Sequence, residues 1–177
     1  MGNTMDFLSL DYLKQGNDRQ QQAYRILMYY RVFEELAHFD PILAGTIPIQ
    51  IDIADSDLDI ICCFADAASF CAKIIEAFGC QEKFVISEVS HENNPTIVAN
   101  FELDGFAVEI FGQPIATQKQ FAYRHLMVEY QLLQKYGEAF RQQIISLKKQ
   151  GHKTEPAFAI ALGLSGDPYL ALLAFEQ

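Results

Sequence analysis

The spacing of apolar residues changes twice along the chain and predicts three successive regions. From Asp18 to Phe39 apolar side chains recur every three or four positions, the period of an amphipathic helix, and Asp40-Pro41 ends this helix. Between residues 42 and 111 the apolar residues form short runs bounded by turn residues, which is typical of strands. The helical period returns at Thr117. The pattern predicts a helix, then a sheet, then a group of helices.

The middle region is predicted to hold five strands and one helix. The strands are Ile42 to Ala44, Asp57 to Phe64, Phe84 to Ser90, Ile97 to Leu103 and Phe106 to Phe111. Ala67 to Phe78 has the helical period and is closed by Gly79. Asp104-Gly105 is a hairpin signal between the last two strands, and Asn93-Asn94-Pro95 supplies the preceding turn. Residues 47–55 are predicted to form a loop.

Four helices are predicted after Thr117. They are Gln118 to Lys135, Glu138 to Lys149, a short helix capped by Thr154 that runs to Leu162, and an apolar helix from Pro168 to near Phe175. The fold class is therefore α+β (α/β), with a mixed sheet packed with helices and followed by a helical C-terminal region. We expect residues 1–116 to form the sheet domain and residues 117–177 to pack on it, with one continuous core as the alternative.

Composition places the chain among globular proteins and narrows its partners. Half of the 177 residues are apolar, yet no apolar stretch reaches the roughly 18 residues that span a membrane. The N-terminus lacks the basic start and apolar core of a signal peptide. The formal net charge of −10 disfavours duplex DNA or RNA as a partner but is compatible with a nucleotide bound through a cation. We expect a cytoplasmic protein without a membrane partner.

The cysteines give no indication of a disulfide framework or a zinc site. Cys62, Cys63, Cys71 and Cys80 form no C-x-x-C pair and lie in apolar surroundings. They are predicted to be buried small hydrophobic residues.

Asp57-Leu58-Asp59 is the stretch that points most directly to chemistry. Residues two apart on a strand project to the same face, so Asp57 and Asp59 would point one way while Leu58 and Ile60 pack on the other side. Two carboxylates at the start of a buried strand repel each other and resist desolvation. A divalent cation offsets both costs, and the pattern therefore predicts a metal site.

Glu109 is the candidate for a third acid. It lies between bulky apolar residues in the strand Phe106 to Phe111, where an acid also fits the solvent side of an edge strand. If that strand lies beside the Asp57 strand, three carboxylates converge on one face of the sheet. Such a set of hard oxygen ligands suits Mg²⁺ or Mn²⁺ and phosphoryl transfer.

These residues carry a family resemblance. Gly45-Thr46, then Asp57-Leu58-Asp59 in a strand, then Val108-Glu109-Ile110 in a later strand resembles the DNA polymerase beta-like nucleotidyltransferase superfamily. Ser56-Asp57-Leu58-Asp59-Ile60-Ile61-Cys62 and Lys153-Thr154-Glu155-Pro156-Ala157-Phe158-Ala159 also resemble the uncharacterised bacterial domain-of-unknown-function family 4269. In the superfamily pattern a serine stands where this chain has Thr46, and an apolar residue stands where it has Ser56.

The resemblance implies a role for each matched residue. Asp57, Asp59 and Glu109 would be the catalytic residues and the ligands of Mg²⁺ or Mn²⁺, while Gly45 and Thr46 would meet the phosphates of the nucleotide. The implied reaction transfers a nucleoside monophosphate from a nucleoside triphosphate to a small-molecule or protein acceptor. Beyond the motif, the predicted helix after Thr117 offers a guanidinium that could bind a triphosphate, at Arg124, or else remain a surface residue.

Other residues and functions remain as alternatives. His125 is a candidate base or a structural histidine, and Lys148 fits the C-terminal end of a helix, where cations favour the helix dipole. A catalytically inactive nucleotide-binding or interaction module would keep the same fold, and the apolar tail Tyr169 to Phe175 could then support a homodimer. A third interpretation leaves the acids as turn caps or solvated residues at a sheet edge.

Overall fold

Five strands form one mixed sheet in the order β1-β2-β5-β4-β3. The strands are β1 (Ile42–Ala44), β2 (Leu58–Cys63), β3 (Glu82–His91), β4 (Asn94–Leu103) and β5 (Phe106–Gln113). The central pair β2 and β5 is parallel, and every other neighbouring pair is antiparallel. This arrangement comes from a computed structural model that describes residues 5–91 and 93–176. It confirms the α+β class expected from the sequence.

Within residues 5–91 and 93–176, six α-helices pack around the sheet. They are α1 (Asp18–Tyr29), α2 (Val32–Glu35), α3 (Ala67–Phe78), α4 (Phe121–Lys149), α5 (Thr154–Leu162) and α6 (Pro168–Leu173). Short 3-10 helices cover Asp11–Gln15, Ala37–Phe39 and Thr117–Lys119. None of the helices in the described part of the chain is long and apolar enough to cross a membrane. The predicted absence of a signal peptide rests on residues 1–6, of which residues 1–4 lie outside that part.

The first predicted helix is interrupted, so the expectation of one helix from Asp18 to Phe39 is wrong. Arg31 follows α1 with φ of 54°, a left-handed backbone conformation that an α-helix cannot continue through. Its guanidinium Nε donates to Glu34 Oε2 at 2.7 Å, which holds the chain as it enters α2. The start of α1 is stabilised by a reciprocal capping box between Asn17 and Gln20.

The helical region follows the predicted pattern with local corrections. The break expected between Lys135 and Glu138 is confirmed at Gly137, where φ of 74° interrupts α4. Thr154 is the first helical residue of α5 rather than its cap, because the preceding residue occupies the cap position without a side-chain hydrogen bond. The last helix ends at Leu173, earlier than expected.

The strands β3 and β4 extend further than predicted and form a hairpin. Asn94 and Pro95 pair with β3 as part of β4, so the expected turn Asn93-Asn94-Pro95 is wrong. Asn93 has φ of 64°, a conformation that asparagine tolerates in tight turns. The expected Asp104-Gly105 turn connects β4 to β5 as predicted.

Apolar clusters lie on both sides of the central strands. Leu58 and Ile60 of β2 and Ile110 of β5 pack into a cluster with α1 and α3. A second cluster joins α4, α5 and α6. Residues from the first half of the chain, such as Ile51, also belong to this second cluster, and the division at residue 116 stays a prediction. The alternation along β2 and β5 turns their remaining side chains away from the first cluster.

The cysteines are all free thiols, but they differ in exposure. Cys62 is buried in the core as predicted, whereas Cys80 is exposed just after α3. The expectation of burial is therefore wrong for Cys80, because the chain leaves the apolar face of α3 before reaching it.

Candidate active site

The parallel pairing of β2 with β5 brings two of the three predicted acids together. Asp59 and Glu109 are Cα partners in this pairing, so their side chains project from neighbouring strands on the same face. The strand β5 lies between β2 and β4, and the interpretation of Glu109 as an edge-strand residue is wrong. Asp57 lies one residue before β2 and lines the same cavity as Asp59 and Glu109.

Gly45 follows β1 and leaves room for the Asp59 side chain. A Cβ atom added to Gly45 would lie 2.0 Å from Asp59 Oδ2, far inside van der Waals contact. Gly45 also has φ of +75°, a conformation that residues with a side chain rarely adopt. A glycine is required here both by the backbone conformation and by the carboxylate that packs against it.

The loop between Gly45 and Asp57 is tied back on itself. Thr46 Oγ1 donates to Ser56 Oγ at 3.1 Å, and the backbone N–H of Ile53 donates to the same hydroxyl at 2.9 Å. Arg19 of α1 donates to the carbonyl of Ser56 at 3.1 Å. Ser56 therefore joins the two ends of the loop and holds the backbone next to Asp57 in place. These hydrogen bonds explain why residue 56 is polar.

Long side chains from two helices hold the middle of this loop. The amide Nε2 of Gln20 donates to the carbonyl of Ile47 at 3.0 Å, and Lys148 Nζ donates to the carbonyl of Ile51 at 2.9 Å. These bonds satisfy backbone carbonyls that no strand pairs with. The site is thereby attached to both the first and the last part of the chain.

A cavity of about 710 Å³ lies over this face of the sheet. Its walls come from β1, β2 and β5, from the loop that carries Asp57, and from α4, α5 and α6. Besides the three predicted acids, four more carboxyl side chains line it: Asp55, Glu129, Glu155 and Asp167. The cavity is therefore strongly acidic on more than one wall.

The electrostatics of the three predicted acids reflect their crowding. Burial raises the pKa of Asp59 to about 7, with further contributions from the charges of Asp57 and Glu109, while Lys148 acts in the opposite direction. Burial followed by repulsion from Asp57 also raises the pKa of Glu109. These carboxyl groups lie close enough to destabilise one another's charged forms.

We expect the Asp59→Asn variant to be more stable than the parent protein at pH 8, by about 1–2 kcal/mol. The pKa of Asp59 is about 4 in the unfolded chain, whereas in the folded protein it is raised to about 7. The parent therefore loses stability as the pH rises between these values, and asparagine removes that loss. Urea denaturation in EDTA should show a gain at pH 8 that shrinks at pH 5; an equal effect at both pH values would contradict this explanation.

The donor set fits a hard divalent cation in its chemistry. Asp57, Asp59 and Glu109 supply carboxylate oxygens, the ligands that Mg²⁺ and Mn²⁺ prefer, and a cation would relieve the repulsion among them. Within residues 5–91 and 93–176, no three His, Cys, Asp or Glu side chains are already arranged to hold a metal ion. The assignment of these three residues as ligands remains a prediction.

Arg124 is the candidate that the structure does not bring to the cavity. Its guanidinium forms a two-pronged ion pair with Glu176, with Nε–Oε1 of 2.9 Å and Nη2–Oε2 of 2.6 Å. It also lies over the ring of Phe121, at 5.3 Å from the centroid. The interpretation of Arg124 as a surface residue fits this environment, because the carboxylate of Glu176 already balances its charge.

Two residues of α4 that reach the cavity were missed from sequence. Lys148 lies in the last turn of α4, as expected of a cation at a helix end, but it is only 7% exposed and donates to the carbonyl of Ile51 beneath the loop. Glu129 is 3% exposed and also lines the cavity. The spacing contained a signal for Glu129, because it lies three residues after Leu126 and four before Leu133, on the apolar stripe of the helix.

Comparison with known proteins identifies the family. A family model described as a domain of unknown function, DUF4269, matches residues 25–175. This chain belongs to the DUF4269 family. The match covers most of the chain, including β2, β5 and all of α4 and α5, and it confirms the resemblance stated from the sequence. No curated protein matches the DUF4269 chain.

Solved structures similar to this DUF4269 protein are nucleotidyltransferases. The GLD-2/RNP-8 complex matches with 14% identity and a TM-score of 0.54, over 86% of this chain and 60% of that one. The Cid1 poly(U) polymerase with MgGTP bound matches with 10% identity and a TM-score of 0.58, over 86% and 53%. A cytoplasmic RNA terminal U-transferase matches with 12% identity and a TM-score of 0.56, over 82% and 48%. The protein therefore has a nucleotidyltransferase-like fold and spans about half to three fifths of these chains.

Proposed function

We propose that this protein is a metal-dependent nucleotidyltransferase that transfers a nucleoside monophosphate from a nucleoside triphosphate to a hydroxyl or phosphate of an acceptor. The observation that carries the proposal is the in-register pairing of Asp59 with Glu109, beside Asp57 and over Gly45, in one cavity. The fold shared with the poly(U) polymerase is compatible with this reaction class, whereas the proposed reaction is inferred from the residues of the site.

The proposed reaction needs little covalent chemistry from the protein. The acceptor oxygen attacks the α-phosphorus, the bond from that phosphorus to the bridging oxygen breaks, and pyrophosphate leaves with the bonding electrons. A bound Mg²⁺ or Mn²⁺ would supply charge neutralisation at the transferring phosphate. Asp57 and Asp59 would hold this ion beside the nucleotide.

Glu109 would complete the metal site or accept the proton of the attacking hydroxyl. Its raised pKa makes it a better base near neutral pH than an ordinary carboxylate. Gly45 would let the nucleotide phosphates approach the backbone, and the Thr46 hydroxyl would donate to them by giving up its bond to Ser56. Each of these roles belongs to a side chain or backbone that lines the same cavity.

A nucleotide-binding module without transfer is the second candidate. The observation that favours it is the position of the described side chains, of which no three are arranged as metal ligands. Such a module would bind a nucleotide without releasing pyrophosphate.

Turnover with a panel of the four nucleoside triphosphates and Mg²⁺ or Mn²⁺ tests the proposal. We expect pyrophosphate release above background for at least one nucleotide, abolished by EDTA, and transfer of label from an α-³²P nucleotide to an acceptor or to water. Calorimetric binding without pyrophosphate release would favour the non-catalytic module. Neither binding nor release with any nucleotide would contradict both candidates.

A further inference from the structure

The wall of the cavity opposite the sheet carries its own charged residues. They come from α4 and α5 and comprise His125, Glu129, Lys148 and Glu155. The proposed reaction uses none of the carboxyl groups on this wall. They face the same space as the predicted metal ligands.

Glu129 is a buried carboxyl group on this wall without a polar partner in the described chain. It is 3% exposed and lines the cavity, yet it makes no hydrogen bond or ion pair within the described chain. Burial and the neighbouring charge of Glu155 raise its pKa well above the usual range. A buried carboxylate without a partner is costly, and a cation bound in the cavity would offset that cost.

The basic side chains nearby already have hydrogen-bond partners. Lys148 Nζ donates to the carbonyl of Ile51, and its distance to Glu129 exceeds that of an ion pair. His125 Nε2 lies 3.0 Å from the carbonyl oxygen of Tyr169, to which it donates, and Nδ1 lies 3.6 Å from Glu155 Oε1. These contacts leave Glu129 and part of the Glu155 carboxylate for a ligand.

The charge count of the cavity favours a cationic ligand. Seven carboxyl groups line it, three assigned to the metal and four others, against Lys148 as the single lysine or arginine among the described lining residues. The positive charge of a divalent ion would be balanced by its three ligands and the nucleotide phosphates. The remaining acids disfavour a polyanion, and a bound ammonium group would favour the charged form of Glu129.

We propose that Glu129 and Glu155 bind an ammonium group of the acceptor, so that the molecule receiving the nucleotide is a hydroxylated amine. This inference rests on the proposed function and names its acceptor class. The ammonium group would sit between the two carboxylates and orient a neighbouring hydroxyl towards Glu109. RNA, the acceptor class suggested by the poly(U) polymerase and U-transferase matches, fits this wall poorly because its phosphates would meet unneutralised acids.

Calorimetry with two matched probes tests the inference on the full chain in Mg²⁺ at pH 7.5. The probes are 2-deoxystreptamine, a hydroxylated ring with two amines, and myo-inositol, a hydroxylated ring with none. We expect 2-deoxystreptamine to bind at least tenfold more tightly than myo-inositol. Glu129→Gln and Glu155→Gln should each weaken amine binding at least fivefold, because each removes a carboxyl group that the ammonium would contact in its charged form.

The control is Glu138→Gln, which makes the same charge change on the exposed surface of α4 and should leave amine binding unchanged. Equal binding of both probes, or Glu129→Gln and Glu155→Gln behaving like the control, would overturn the inference. If Glu129→Gln does not fold, Glu155→Gln decides the result.

Failure of the acceptor class can be told apart from failure of the proposed function. Nucleotide-dependent pyrophosphate release with no amine binding would overturn the inference and leave nucleotidyl transfer intact. Amine binding that needs both carboxylates, with no nucleotide turnover, would support the cationic site and contradict the transferase. Binding of oligouridylate in place of the amine would favour an RNA acceptor and overturn the inference.

Discussion

Asp59→Asn is expected to lower pyrophosphate release at least about 1000-fold at saturating nucleotide and Mn²⁺. Asparagine keeps the size of the side chain and the β2–β5 pairing but removes the charge that would hold the cation. Asp57→Asn should lower the rate of pyrophosphate release by a similar factor. Steady-state kinetics with each triphosphate, over a range of metal concentrations, measure the effect.

Two observations separate this loss from misfolding. Asp59→Asn is expected to be at least as stable as the parent at pH 8, so a folded but inactive protein is the predicted outcome. Asp18→Asn makes the same chemical change at an exposed position in the first turn of α1 and should keep its rate within about twofold. If Asp59→Asn retains more than a tenth of the parental rate of pyrophosphate release, Asp59 has no catalytic role.

Gly45→Ala is expected to reduce both stability and activity. The new Cβ would meet Asp59 Oδ2 at 2.0 Å, and alanine at φ of +75° is strained, so we expect a loss of about 2–4 kcal/mol in the free energy of unfolding. The displaced Asp59 carboxylate would no longer face Glu109 correctly. Pyrophosphate release should therefore fall at least about 100-fold.

Gly105→Ala separates the two causes of this effect. Gly105 has φ of +83°, but a Cβ there meets no atom within 4 Å, so the variant carries the backbone strain without the clash. We expect a loss of about 1 kcal/mol in stability and an unchanged rate. Urea denaturation of both variants gives the comparison. Equal losses of stability would show that Gly45 does not make room for Asp59.

The residues that could be predicted from sequence are those whose placement depends on local geometry. Strand parity places Asp59 on the face of β2 opposite Leu58 and Ile60, and Asp57, one residue before the strand, lines the same cavity. The Asp104-Gly105 turn places Glu109 on the strand that follows it. The break at Gly137 follows from the same local rules. The resemblance then supplied the order of these parts, and the family match confirms the resemblance to the DUF4269 family.

The pairing of Asp59 with Glu109 could not be derived from local rules. It depends on parallel contact between strands far apart in sequence, and the local pattern of β5 fits an edge strand equally well. The burial of Lys148 could not be derived for a similar reason. Its position at the end of α4 explains a cation by the helix dipole, and burial against Ile51 becomes visible only when the loop packs on the helix.

The assignment of an ion to Asp57, Asp59 and Glu109 is most directly tested by titrating the metal-free protein with Mn²⁺ and following the free ion by electron paramagnetic resonance. We expect the parent protein to bind Mn²⁺ more tightly at pH 8 than at pH 6, because binding must displace the proton that Asp59 holds up to about pH 7. Asp59→Asn and Glu109→Gln should each weaken binding at least tenfold, while Asp18→Asn should not. Equal Mn²⁺ affinity in the parent and in all three variants would show that these carboxylates do not gather around a metal.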